Sequence, residues 1–250
     1  MNLVFITGGS RGLGAALLER YRAAGWVAVD LSRSGQGADH LAVDLGDLDS
    51  SLAAVAALFT ERARSPWDAV ALINNAATIT PIGPVHELDD GAIAPNLTIN
   101  LTSGIRIISA FARAFQSAPG RRTVANISSG AAHKAKSGWS LYCAAKAGME
   151  HFIHAMAMEQ AARPNPIVCI NIDPDLIDTA MQHEIRATDQ ADFPEVARFI
   201  HYKQSGRLRS PEDVAATIQA ILLGGPEQGR RYAVGQAEEI GGTEPASTTA

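Results

Sequence analysis

Apolar positions along the chain fall into two alternating rhythms. Short unbroken runs, "LVFIT" at 3–7, "WVAVDL" at 26–31, "LAVDL" at 41–45, "AVALINN" at 69–75, "TVANISS" at 123–129 and "IVCINI" at 167–172, have the length and composition of buried strands. Between them the apolar residues recur at helical spacing, as in "LGAALLERYRAAG" from 13, which ends at a plausible C-cap, Gly25, and in "SLAAVAALFTERA" from 51. Strand and helix in alternation predict a parallel sheet covered by helices on both faces. Right-handed crossovers then give an α/β fold of the Rossmann type: a doubly wound parallel sheet of about seven strands flanked by helices. No second-domain boundary interrupts the pattern, so residues 1–240 are expected to form one domain. Within it, the polar stretch at about 175–209 sits where a substrate-covering lid would be inserted, before a helix starting near Ser210 and Pro211. The terminal "GGTEPASTTA", 241–250, is expected to be a flexible tail.

The loop after the first run is "TGGSRGLG", with Gly8, Gly12 and Gly14 in G-x-x-x-G-x-G spacing. At the start of a helix, unpaired N–H groups and the positive end of the dipole favour an anion, and glycines let the backbone come close to a pyrophosphate. Gly8, Ser10, Arg11, Gly12, Leu13 and Gly14 are therefore candidate dinucleotide-binding residues. The end of the second strand should meet the adenosine ribose. Seven residues beyond Gly25 stands Ser32, followed by Arg33, and with Arg11 this puts two guanidinium groups near one 2′-phosphate, favouring NADP(H). A shift of two along the strand would instead place Asp30 there, and a carboxylate favours a free 2′-hydroxyl.

Charge narrows the field of partners. The net charge is −5 with Lys and Arg spread along the chain, which offers no electrostatic case for nucleic acid or an acidic membrane. "MNLVFITGG" has no basic leader pattern, and no apolar run approaches a membrane span, so a cytoplasmic protein acting on a small molecule is expected. Two cysteines, Cys143 and Cys169, read as free thiols. His133, His151, His154, His183 and His201 show no recognised ligand spacing, and no metal is assigned.

Tyr142 and Lys146 stand four residues apart, with small residues between, downstream of Ser128 and Ser129. On a helix they share one face, and an ammonium near a phenol stabilises the phenolate, making the pair acid/base machinery. With "TGGSRGLG", "DL" at 44–45, "NNAA" at 74–77, "IN" at 99–100, "NISS" at 126–129, "YCAAK" at 142–146 and "PDLIDT" at 174–179, the chain resembles the short-chain dehydrogenase/reductase family over nearly its whole length. The resemblance implies a catalytic tetrad of Asn100, Ser129, Tyr142 and Lys146. Tyr142 would give a proton to the substrate carbonyl oxygen, Ser129 would hold that oxygen, and Lys146 would hold the nicotinamide ribose. Asn100 would support a water-linked proton path. The resemblance also places Asp44 and Leu45 at the adenine, Asn74, Asn75 and Ala76 on the adenosine side, and Pro174, Ile177 and Thr179 near the nicotinamide.

"NISSGAAHKAKSGWSLYCAAKAGMEHF" and the lid sequence are similar to the sepiapterin reductase and benzil reductase branch of that family. That similarity implies an NADPH-dependent carbonyl reductase for a compact, aromatic, vicinal diketone or pterin-like substrate. Trp139, Asp175 and Met181 are the pocket candidates, with Phe193 and Phe199 as further apolar walls. Asp175 stands where the family usually has glycine, so it is expected to affect substrate choice. Two other readings stay open: a 3-oxoacyl-thioester or sugar-alcohol oxidoreductase, and a non-catalytic NADP(H)-sensing or scaffold protein. The apolar helices around 96–117 and 140–162 suit a homodimer, or a homotetramer of two dimers.

Overall fold

Seven strands among the described residues run parallel in one sheet: β1 (Asn2–Thr7), β2 (Val27–Ser32), β3 (His40–Ala42), β4 (Ala69–Asn74), β5 (Arg121–Ile127), β6 (Val168–Asp173) and β7 (Arg231–Ala233). Their spatial order is β3-β2-β1-β4-β5-β6-β7. The chain therefore winds outward to one edge, returns past β1 and winds to the other, leaving a crevice at the carboxyl ends of β1 and β4. The structure is a computed structural model and describes residues 1–236; the expected tail at 241–250 lies outside them.

Eight α-helices among the described residues flank the sheet: α1 (Gly12–Ala23), α2 (Leu48–Arg62), α3 (Asp90–Leu97), α4 (Ser103–Phe115), α5 (Ser140–Ala161), α6 (Ala180–Arg186), α7 (Val196–Gln204) and α8 (Pro211–Leu223). None is long and apolar enough to cross a membrane. Alternate strand residues feed two separate cores, as the pleat requires. On one face Phe5 meets Phe59 of α2 and Phe111 and Phe115 of α4, with ring centroids 4.7–6.3 Å apart. On the other, Ile6, Ile170 and Ile172 pack against Leu17 of α1 and Val214 and Ile218 of α8. A third, smaller cluster joins Tyr142 and Trp139 to Phe193, Phe199 and Tyr202 of the 175–209 stretch.

Several boundaries depart from the apolar pattern for local reasons. The run at 41–45 is a strand only to Ala42, because the Asp44 carboxylate turns back to accept from Gly46 N at 2.8 Å. The helix expected around 96–117 is interrupted: Pro95 lies at the end of α3, and residues Thr98–Thr102 form a π turn before α4 resumes. Ser210 caps α8, its hydroxyl accepting from Asp213 N at 3.0 Å with Pro211 in the first turn. The segment carrying α6 and α7 is tied at its base, where Arg209 N donates to Leu176 O and Asp178 N to Arg209 O, each at 2.9 Å.

Candidate active site

The glycine turn is shaped by close approach. Gly8 and Gly12 have φ of 70° and 54°, in the left-handed region, and a Cβ on Gly14 would lie 2.1 Å from Gly8 O. Only glycine lets α1 pack this tightly on the end of β1. Arg11 precedes α1 without a side-chain cap, and the first turn carries no acidic residue, so its N–H groups face outward as donors. Thr7 locks the opposite wall: its hydroxyl accepts from Asn75 N at 2.9 Å and Ala76 N at 3.1 Å, while Asn75 Nδ2 donates to Thr7 O at 3.0 Å. Thr179 closes the crevice from the lid side, its methyl 3.4 Å from where a Gly12 Cβ would stand. Ile177 and Thr179 are half-buried, whereas Ser10 and Asp44 are exposed. Leu45 is half-buried, and its carbonyl accepts from Ser103 Oγ at 2.7 Å.

At the end of β2 the Asp30 carboxylate turns inward. Asp30 is buried, with Oδ1 accepting from Gly9 N at 3.0 Å and Oδ2 from Ser32 Oγ at 2.7 Å. Its oxygens support the turn from below. Ser32 is buried with its hydroxyl committed to Asp30, while Arg33 and Arg11 stand exposed at the rim.

The catalytic candidates converge at the ends of β5 and α5. Tyr142 is buried near Ser129, whose hydroxyl accepts from Ala131 N at 3.1 Å. Lys146, one turn further, lies 5.6 Å from the Tyr142 ring centroid and donates from Nζ to Ile127 O at 2.8 Å. Burial pushes the Tyr142 phenol up to about 12, outweighing the lowering by Ser129, and pushes the Lys146 ammonium down to about 8. The phenol is thus not acidified in the free protein, contrary to the expectation for a Tyr–Lys pair. Desolvation of a group sealed under the lid cluster is the reason. Asn100 sits in the π turn, its side chain clamped on Thr78 by Thr78 N→Oδ1 and Nδ2→Thr78 O bonds, both 2.9 Å. Such turns recur at functional sites, because the widened backbone frees a carbonyl from the helical ladder.

The three pocket candidates fall in two surroundings. Trp139 is 5% exposed, stacked on Phe193 at 4.7 Å and edge-on to Tyr142 at 5.9 Å. Met181 packs on the same cluster. Asp175 holds a φ of 62° in the glycine-like conformation and borders a cavity of about 460 Å³ with His133, Lys134, Asp173 and Arg231. Pro174, beside it, is buried.

A sequence model of the short chain dehydrogenase family matches residues 2–190. The chain belongs to that family. Benzil reductase ((S)-benzoin forming) of Bacillus subtilis is 34% identical over 93% of this chain and 98% of its own length. Sepiapterin reductase of Mus musculus is 32% identical over 74% of this chain and 78% of its own. Among solved structures, that of the KRED1-Pglu enzyme superposes with a TM-score of 0.78 at 25% identity, covering 92% of this chain and all of that one. As a short-chain dehydrogenase the protein is an enzyme built for a nicotinamide dinucleotide. The outward N–H groups of α1 and the glycine cradle, which a Cβ would fill, fit that group.

Two supporting residues, Asn126 and Asn171, are given no role by the sequence. Asn74, Asn126 and Asn171 lie in register on β4, β5 and β6, and their amides form a ladder: Asn74 Nδ2→Asn126 Oδ1 at 3.0 Å and Asn126 Nδ2→Asn171 Oδ1 at 2.9 Å. Asn171 Nδ2 then reaches Glu150 O on α5 at 3.2 Å. A polar residue at the same depth in three consecutive apolar runs is the signal that would have added Asn126 and Asn171 to Asn74.

Proposed function

We propose that this enzyme is an NADPH-dependent carbonyl reductase acting on a ketone of a compact aromatic vicinal diketone or pterin-like substrate. The observation that carries the reading is the buried Tyr142, with Ser129 and Lys146 beside it under an aromatic wall, in a chain similar end to end to a benzil reductase. The bound dinucleotide supplies the hydride. The Tyr142 O–H donates to the carbonyl oxygen as negative charge develops there, and Ser129 Oγ holds the same oxygen. Lys146 keeps a positive charge beside the phenol as its proton leaves. Trp139, Phe193 and the lid helices exclude water from the transfer. In this reading the enzyme works in the cytoplasm as a homodimer or homotetramer, joined through the outer faces of α4 and α5, where Met158 is 68% exposed.

Following NADPH absorbance with benzil, phenylpropanedione and a pterin diketone tests the reading. Turnover with one or more of them is expected, and a folded, NADPH-binding protein inert towards all three would overturn it. Preference for NADPH rests on the exposed Arg11 and Arg33 and on the inward commitment of Asp30. Arg33→Asp is expected to weaken NADPH relative to NADH by roughly 10- to 100-fold, the worth of a charge-assisted contact to phosphate. Dissociation constants for both dinucleotides, from quenching of protein fluorescence, give that ratio directly.

A further inference from the structure

One helical turn beyond Lys146 begins a charged cluster that the proton transfer described above does not use. Glu150 follows Lys146 by one helical turn and its side chain is 10% exposed. Its Oε1 accepts from Ser128 Oγ and from Arg231 Nε, the latter at 3.0 Å, and its Oε2 meets His133 Nε2 at 2.6 Å. Arg231, on edge strand β7, also donates from Nη2 to Asp173 Oδ2 at 2.7 Å. Asp173 ends β6, directly after Ile172, which pairs with Ile127, the residue whose carbonyl holds the Lys146 ammonium. One guanidinium thus joins two carboxylates that flank the catalytic pair. Lys134 and Asp175 border the same cavity and complete the charged groups facing it.

We propose that Arg231 is a positioning residue that sets the proton affinity of the Tyr142–Lys146 pair by neutralising Asp173 and Glu150. Arg231 is assigned no contact with the reacting atoms and acts through the field it cancels. Both carboxylates favour the charged Lys146, and Asp173 disfavours the Tyr142 phenolate. Their effect on the two groups has the same sign when the pair is taken as a unit: a net negative charge nearby raises both of its proton affinities, and removal of one lowers both. The partners are not interchangeable in geometry. Arg231 spans Glu150 through Nε and Asp173 through Nη2, a fork that only a planar guanidinium offers. His133 is a second side chain on Glu150, but it is half-exposed and touches Glu150 alone of the two carboxylates, so Arg231 couples Glu150 to Asp173.

The inference rests on the reading of Tyr142 and Lys146 as the proton-handling pair, and its test is separable from that reading. The chain has only four lysines, Lys134, Lys136, Lys146 and Lys203, so NMR of isotope-labelled lysine Cε can follow Lys146 in the free protein without any turnover. Burial holds the Lys146 ammonium down at about 8 in the unaltered chain. Arg231→Gln is expected to move that titration up, and Asp173→Asn to move it down, each by about half a pH unit or more, while Arg231→Lys stays nearer the unaltered chain. With a turned-over ketone, the alkaline limb of kcat/KM should shift in the same two opposite directions. A merely structural role would lower activity at every pH without moving the limb. Shifts of the same sign in both variants, or none in variants whose melting confirms folding, overturn the proposal; if Arg231→Gln does not fold, the downward shift in Asp173→Asn decides alone. Opposite shifts at Lys146 in a protein that reduces none of the offered ketones would uphold the electrostatic clamp and reject the substrate assignment.

Discussion

Tyr142→Phe is expected to lower kcat for ketone reduction by roughly 10²- to 10⁴-fold, with NADPH affinity nearly unchanged. The substitution removes one oxygen and leaves the ring, so the edge-on contact with Trp139 and the lid cluster survive. Ser129 keeps its bond from Ala131 N, and Lys146 keeps its bond to Ile127 O. What disappears is the buried O–H that stands near Ser129 and Lys146. With its phenol at about 12, Tyr142 is protonated throughout the neutral range, the state a donor requires. The lysine sets the useful window. Its folded-state value is lowered to about 8 by burial, so its positive charge is present below that pH and lost as pH rises through it. Reduction by the unaltered enzyme should therefore decline on the alkaline side of about pH 8, well before the phenol ionises. Stopped-flow single turnovers over pH separate this chemical effect from dinucleotide release; a Phe variant retaining more than a tenth of the rate would remove Tyr142 from the mechanism.

The sheet and most of the cofactor cradle were legible because both are written in local sequence. Continuous apolar runs mark strands buried on two faces, and Gly8, Gly12 and Gly14 are required by backbone approach at single positions. β7 escaped notice because it is three residues long and begins with Arg231, which faces charged partners instead of the apolar core. The interruption at Thr98–Thr102 was equally invisible, since a π turn differs from an α turn by one extra residue and leaves the apolar spacing almost unchanged. Asp30 shows the other limit. Its place on β2 could be counted, but whether its carboxylate turned out towards a ribose or in towards Gly9 and Ser32 depends on the packing of the 33–37 loop, where a Cβ on Gly35 would lie 2.0 Å from its Oδ2. The raised Tyr142 value belongs to the same class, because desolvation is contributed by lid residues far away in sequence.

Asn126→Ala is expected to lower the free energy of unfolding by about 2–5 kcal/mol. Asn126 is completely buried at the centre of the sheet, and its amide satisfies a donor on Asn74 and an acceptor on Asn171. Alanine leaves Asn74 Nδ2 without its acceptor and Asn171 Oδ1 without its donor in a buried site, and adds a cavity. The ladder continues past them, from Asn74 towards Thr7 and the glycine turn, and from Asn171 to the α5 backbone at Glu150, four residues beyond Lys146. Stability and site geometry are thus coupled through one row of amides, and the same variant should bind NADPH more weakly. Urea denaturation measures the first effect, with the m-value reporting whether the native state stays compact. Asn126→Asp separates hydrogen bonding from volume. Its carboxylate can still accept from Asn74 Nδ2 but offers no donor to Asn171 Oδ1 unless protonated. Burial raises the pKa of such an acid, so the folded state binds its proton more tightly than the unfolded chain does, and stability rises as pH falls through the folded-state value. The urea midpoint of Asn126→Asp should climb relative to that of the unaltered chain between about pH 8 and about pH 5. A midpoint difference that stays flat over that range would mean that the carboxylate has found water or a cation, and that the amide row is not sealed as the structure shows.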